Sequence, residues 1–572
     1  MLVSRVALTP HLYTAAWIPA MLCAIELCLR EDKLRPGRGA GLVGVLFGLQ
    51  ILAGAPQISY YTALLLPIYW VARACMTGPG ERKSRVGRAL VHGASAALVA
   101  ALLAGIQLAP TLEFAGQTER GEIDLQKLSG QGLNGGFLWR ALVGFTGPEI
   151  EDTDSINAIG AGAILLALLA LAGKKRRSTA ALLWLLGFAA WLLSIGPLSG
   201  LWAKVLPGYT LFHAPRRALI LWSVVGSLLA AVGAHHLLLC WRAKKWPRVG
   251  YYIALIVLSA GTWWMLPRLE RVFCTTERFQ PPADVAALLN DARYVAIDPT
   301  LNYSYDSRRP DFGESLMPDL ASWHDLYQAG GYDPLVLERY ALARDLACRG
   351  SGVFYPSHGV FFTDPGSPVL RLFAVQYFVG RYDLMDPGRL IPGAGIDQQA
   401  IAAMATRVGG SDAWPVYRFN EDRPRAWTVE RVVEMRTARE ALAAAAANNA
   451  YRVAFTEGGL GLRTASPPIV SEFERLNGRT MRIELERPAS EETMLVVAEA
   501  YADGWVARFG DGTREPVVPV NGAAMGVLVP PGEQDVVLKY APRSFTRGLL
   551  LSFAGLVLAA ALFAGRRKGM GS

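Results

Sequence analysis

Three groups of polar side chains interrupt otherwise apolar stretches, and their types suit anion recognition and proton transfer. Gln57 follows a Gly54-Ala55-Pro56 break, with Ser59, Tyr60 and Tyr61 one turn on. Gln107, Pro110 and Glu113 close a second apolar run, with Arg120 just beyond. His213-Ala214-Pro215 leads into Arg216 and Arg217 at the start of a third. Guanidinium groups bind phosphate through strong, charge-assisted hydrogen bonds. A carboxylate alongside would take the proton from an acceptor hydroxyl. The expectation is one cleft in which Gln57, Tyr61, Gln107, Arg120, His213, Arg216 and Arg217 hold a phosphate-bearing substrate while Glu113 serves as base. A plainer reading has the arginines neutralising acidic loop residues or binding lipid headgroups, and Glu113 closing a helix end or an ion pair. Glu26 lies inside an apolar run, where a carboxylate is costly without a partner, and reads as structural or snorkelling. The chain has no GxSxG, HExxH, GxGxxG or Walker A signature. His235-His236 alone does not define a metal site, and no metal ligands are assigned.

Long apolar stretches must position these groups. A helix needs roughly 20 apolar residues to cross the hydrocarbon layer. Nine segments approach this: about 12–29, 40–56, 58–72, 89–108, 157–173, 179–195, 217–240, 249–267 and 546–565. The run 40–72 is too long for one crossing and is broken at Gly54-Ala55-Pro56-Gln57, which predicts two helices and a tight turn. Open strand edges cannot face lipid, so the runs are read as helices. With hydrophobic residues at 52% and charged residues at 18%, a soluble cytoplasmic enzyme, a disordered chain and a collagen-like fibre are excluded.

The formal net charge is +9, but the basic residues cluster at the ends of apolar runs, which indicates membrane orientation rather than nucleic-acid binding. Loops 30–38, 73–88, 174–178 and 241–248 and the tail Arg566-Arg567-Lys568 are basic, whereas 109–156 is acidic. The alternation predicts that residues 268–543 are extracytoplasmic and that the C-terminus is cytoplasmic. It also places residues 1–11 outside, which fits a chain whose first helices lie upstream of residue 1. Cys274 and Cys348 are the two cysteines of the large polar region, and one disulfide between them is open.

The expected architecture is a polytopic α-helical membrane protein with about nine spans and a large outer region. Residues 1–267 form the helical domain with eight spans, and 544–572 the final span and tail. Residues 268–460 read as mixed α/β, with helices near 283–290, 334–347 and 433–448 and a strand at Tyr294–Ile297. Asp333-Pro334 marks the expected start of the second helix. Residues 461–543 read as a β-sandwich: Met481, Ile483 and Leu485 alternate with polar residues, and Asp511-Gly512 and Asn521-Gly522 are hairpin turns. Trp505 and Tyr540 read as core aromatics in preference to a carbohydrate platform.

Several stretches resemble the bacterial YfhO-type membrane proteins, within the wider group of GT-C membrane glycosyltransferases. They are Leu52-Ala53-Gly54-Ala55-Pro56-Gln57-Ile58-Ser59-Tyr60-Tyr61, with Ala55 where the family has His, and Gln107-Leu108-Ala109-Pro110-Thr111-Leu112-Glu113. Phe212-His213-Ala214-Pro215-Arg216-Arg217 is similar to a family outer loop, with His213 in place of Arg. Tyr501-Ala502-Asp503-Gly504-Trp505, Asp511-Gly512, Pro531-Gly532 and Tyr540-Ala541-Pro542 complete the set. The resemblance implies a GT-C-like fold in the bacterial cytoplasmic membrane. It also implies transfer of a sugar from a polyprenyl-phosphate donor to a cell-envelope polymer or glycolipid on the outer face, with a divalent cation as an optional aid. Such enzymes usually carry an acidic base in the first outer loop; residues 1–11 contain no Asp or Glu. The alternatives are a non-catalytic envelope assembly factor and a transporter of a lipid-linked saccharide.

Overall fold

The computed structural model describes residues 9–29, 36–76, 81–119, 125–130, 132–133, 159–174, 176–243, 249–253, 256, 280–290, 292–297, 316, 324–332, 335–347, 359–360, 364–380, 402–412, 414–458 and 467–564. The chain divides into two compact bodies. One comprises Met1–Pro110, Gly121–Phe273 and Ser544–Ser572; the other comprises Thr111–Arg120 and Cys274–Arg543.

The first body is helical: α1 (Thr9–Leu29), α2 (Pro36–Leu52), α3 (Pro56–Met76), α4 (Arg82–Leu103), α5 (Gly105–Ala115, which runs on into the second body), α6 (Ala161–Leu169), α7 (Arg177–Ser194) and α8 (Leu219–Ala243). The C-terminal helix Arg543–Ala564 belongs with it from Ser544 onward. Among the described residues, five helices are long and apolar enough to cross a membrane: Pro10–Leu29, Arg82–Leu103, Arg177–Ser194, Pro215–Ala243 and Arg543–Ala564. This corrects the nine expected. The apolar stretches Gly37–Leu52 and Ala161–Ala172 are too short by themselves. Helix α3 has 21 residues, but Gln57, Ser59, Thr62 and Arg73 dilute its apolarity and Pro67 lies inside it. Most of 249–267 lies outside the described residues. The body is nonetheless a multi-pass membrane protein.

The break in 40–72 falls where expected. Leu52 ends α2, Gly54 turns the chain at φ +91°, and Pro56 begins α3 at a position where its missing N–H costs nothing. Polar groups buried beneath the turn hold it: Thr14 Oγ1 accepts from Ala55 N at 3.2 Å, and Gln50 Nε2 donates to Thr14 O at 3.0 Å and Thr62 Oγ1 at 3.1 Å. Glu26 has the partner its burial demands. Arg73 forks its carboxylate at 2.5 and 2.8 Å, and Tyr69 donates to it at 2.8 Å. The structural reading of Glu26 is therefore the observed one.

Among the described residues the second body carries four sheets. A mixed five-stranded sheet has β1 (Arg293–Ile297) between β2 (Tyr327–Gln328) and β5 (Tyr377–Gly380), followed by β7 (Pro415–Phe419) and β6 (Ala405–Gly410). Strands β3 (Gly331–Tyr332) and β4 (Gly359–Val360) form a two-stranded ribbon. A six-stranded sheet runs β8 (Ala426–Val429), β13 (Thr493–Ala500), β17 (Ala524–Val529), β16 (Val518–Val520), β10 (Val453–Glu457), β9 (Arg431–Met435). The last runs β11 (Ser471–Asn477), β12 (Thr480–Leu485), β18 (Asp535–Tyr540), β14 (Trp505–Phe509), β15 (Arg514–Pro516). Helices α9 (Ala283–Leu289), α10 (Glu338–Ala347) and α11 (Ala438–Ala447) accompany the sheets, with a single helical turn at Val369–Leu372.

The expected sandwich is present, with wider membership. Leu495, Val497, Met525 and Val527 of the six-stranded sheet share a core with Met481, Ile483, Leu485, Phe509, Val536 and Leu538 of the β11-β12-β18-β14-β15 sheet. The opposite face of β13 (Met494, Val496, Ala498) packs with Trp427 and Val432 in a second core. Burial on both faces explains why β13 lacks polar alternation. Trp427 pairs with Val496, so residues on either side of 460 share a sheet and the boundary expected at 460/461 cuts through it. Trp505 packs against the sandwich core and lies opposite Tyr540, ring centroids 5.4 Å apart.

Candidate functional site

The polar groups of the helical body converge on the start of α3. Its first turn places the Gln57 side chain, 5% exposed, against the segment before α8. Gln57 Nε2 donates to His213 O at 2.5 Å, to Ala214 O at 3.3 Å and to Tyr61 Oη at 3.1 Å. Its Oε1 accepts from Arg217 Nη1 at 3.3 Å. One amide thus uses both ends: the nitrogen binds the carbonyls of the loop and the oxygen holds a guanidinium.

The loop geometry follows from its sequence. Ala214 is left-handed, φ +48°, and Pro215 opens a short 3-10 turn, Pro215–Ala218, closed by Arg217 N to Ala214 O at 2.9 Å. Arg216 and Arg217 therefore leave the backbone on this turn rather than within α8, and both are half-buried. An aromatic wall flanks them. Tyr60 packs against Phe212 at 5.1 Å and Tyr61 at 5.7 Å between centroids, and Tyr60 Oη donates to Pro207 O at 3.0 Å. Tyr209 Oη donates to Leu193 O at 3.0 Å, tying the loop to α7.

The structure thus brings together Gln57, Tyr61, the His213 backbone and Arg217, with Arg216 beside them. Gln107 is half-buried on α5 and makes no side-chain hydrogen bond among the described residues. Arg120 lies outside the described residues. Glu113 belongs to the second body and is exposed on the last turn of α5. Burial, then the negative charge of Glu113 and Asp503, raises the Tyr540 phenol above its usual range. The neighbouring Glu119 is committed: Arg344 forks it with two bonds of 2.9 Å. Among the described residues no three His, Cys, Asp or Glu side chains group as metal ligands.

Sequence reasoning missed Gln50, Thr14 and the Tyr60–Phe212 contact. Gln50 could have been found, because an amide inside an apolar helix needs an internal partner. The aromatic contact spans some 150 residues and leaves no local pattern.

No protein-family model matches the chain, and no curated protein matches it. Two solved structures of the arabinofuranosyltransferase AftD from Mycobacteria are similar at the level of overall trace. One, a mutant form, has a TM-score of 0.36 at 14% identity over 94% of this chain and 50% of that one. The other has a TM-score of 0.33 at 13% identity, over 95% and 48%. The chain spans about half the length of these structures, and likeness at this level transfers neither activity nor residues.

Proposed function

We propose that the protein is a GT-C-like membrane glycosyltransferase of the cell envelope. It moves a sugar from a polyprenyl-phosphate donor to an envelope polymer or glycolipid on the outer face. The observation that supports this most is the Gln57–Arg217 junction: two adjacent half-buried arginines at the end of apolar helices, one of them, Arg217, bonded to a buried amide. A lipid-borne phosphate would meet guanidiniums there with little water between, where charge-assisted hydrogen bonds are strong. Arg216 and Arg217 would hold the leaving phosphate as the glycosidic bond breaks. The motifs shared with YfhO-type proteins and the basic loops that put this end outside agree with that role.

Gln57 and Tyr61 act by position, since they set the loop that carries the arginines. The acceptor hydroxyl gives up its proton to a base as the glycosidic bond breaks. The test is turnover of polyprenyl-phosphate sugars by the full chain in proteoliposomes. Removing a charge-stabilising donor typically costs about 10²–10³ in rate, so Arg217→Gln should lower kcat on that order while the protein stays folded. Wild-type protein that binds donor but never turns it over would sink this reading and favour an assembly factor.

A further inference from the structure

We propose that the helical body carries a second lipid site, for an anionic phospholipid, in a groove between α2, α3 and α4. The groove has a volume of about 310 Å³, at the low end of ligand pockets. Val43, Phe47, Leu66, Trp70, Leu90 and Gly93 are among its lining residues, all of them apolar. A Cβ built on Gly93 would meet nothing within 4 Å, so the groove is open there. Leu90 and Leu98 on the same helix are exposed, as expected of a wall that faces lipid.

An apolar groove in a bilayer has no preference of its own, because lipid tails are as apolar as leucine. The preference comes from the groove's end. Arg82 and Lys83 lie seven residues before the lining residues Ala89 and Leu90, which puts them two turns away on the same helix face. Both are exposed, and neither makes an ion pair or side-chain hydrogen bond among the described residues. Arg85 instead donates to Ala74 O at 3.0 Å and ties the first turn of α4 to the last turn of α3. An acyl chain in the groove would thus bring its phosphate to two uncommitted cations. This end of α3 is opposite the one that carries Gln57, so the site is separate from the transferase site and does not depend on it. Basic pockets between helices on the cytoplasmic side suit anionic headgroups.

The test titrates the delipidated full chain in non-ionic detergent with phosphatidylglycerol or phosphatidylcholine of identical chains. Bound lipid is counted by native mass spectrometry. Phosphatidylglycerol should bind more tightly. R82Q/K83Q should weaken it on the order of fivefold per residue, whereas the control R176Q/R177Q should leave the tightest-bound lipid unchanged. Equal affinity for the two lipids, or equal loss in both double variants, would overturn the proposal. A photoreactive phosphatidylglycerol should label the peptide carrying Leu90 and Gly93, and G93W should abolish that label. Labelling confined to other helices would also overturn it, whether or not G93W folds.

Discussion

At Glu499 three guanidiniums meet one carboxylate. Arg293 and Arg425 reach Oε1 at 2.5 and 2.6 Å, and Arg475 reaches Oε2 at 2.7 Å. Burial alone would raise this carboxyl, but Arg293, Arg475 and Arg425 outweigh it and hold it down at about 2. A group depressed on folding stabilises above its unfolded value and loses that stabilisation as pH falls through the folded one. The contribution should therefore be full above roughly pH 4.3, the ordinary glutamate value, and fade as pH falls toward 2. Thermal unfolding of the full chain across that window checks the sign. Glu499→Gln leaves three arginines together without their counter-charge and should cost about 3–5 kcal/mol at neutral pH. Gln57→Leu, which strands two loop carbonyls, should cost about 1–3 kcal/mol. It should also weaken donor binding, read by titration, because Arg217 loses its hydrogen bond to Gln57.

At the scale of elements, the C-terminal helix shows how small residues set packing. Gly548, Gly555 and Ala559 are buried on one stripe, and Ser552 Oγ accepts from Ile106 N at 2.9 Å while donating to Leu103 O at 2.8 Å. That hydroxyl satisfies backbone on both sides of the α4–α5 break. A Cβ at Gly548 would strike Gly105 O and the Ile106 backbone, so Gly548→Leu should push the helix away and lower the melting temperature, in line with small-residue packing in membranes. Local signals served well elsewhere. Thr437 Oγ1 accepts from Glu440 N at 3.2 Å as the N-cap of α11, and Glu440 reaches back to accept from Arg436 N, one residue before the cap, at 3.1 Å. The expected helix 433–448 loses its first residues to β9, whose register with β10 pairs Val433 with Phe455. Likewise α10 begins at Glu338, and the expected start signal Asp333-Pro334 lies outside the described residues. Val336 O and Glu338 N are taken by Glu119 N and Gln117 O, at 3.0 and 2.9 Å, which holds Leu337 extended opposite Thr118. A pairing partner more than 200 residues away keeps Leu337 out of the helix.

For the whole molecule, the sheet that crosses residue 460 carries the clearest prediction. A fragment spanning 461–543 would lack β8, β9 and β10 and would expose one face of β13, so it should fail to fold, as circular dichroism and amide exchange would show. A fragment beginning before Cys274 and ending at Arg543 keeps all four sheets. The apolar runs, the Gly-Ala-Pro break, and the Asp-Gly and Asn-Gly turns were legible in the sequence because each is decided within a few residues. Asn521 and Gly522, both at positive φ, turn the chain between β16 and β17 as that dipeptide demands. Span count was less legible, since apolarity measures the cost of leaving water and does not say where a helix ends. Tertiary structure alone decided which strands share a sheet, that Glu26 meets Arg73, that Glu499 gathers three arginines, and that Gln57 holds Arg217 while Glu113 belongs to another body. These are contacts between residues far apart in the chain. Their energy depends on burial and distance, which composition and spacing do not contain.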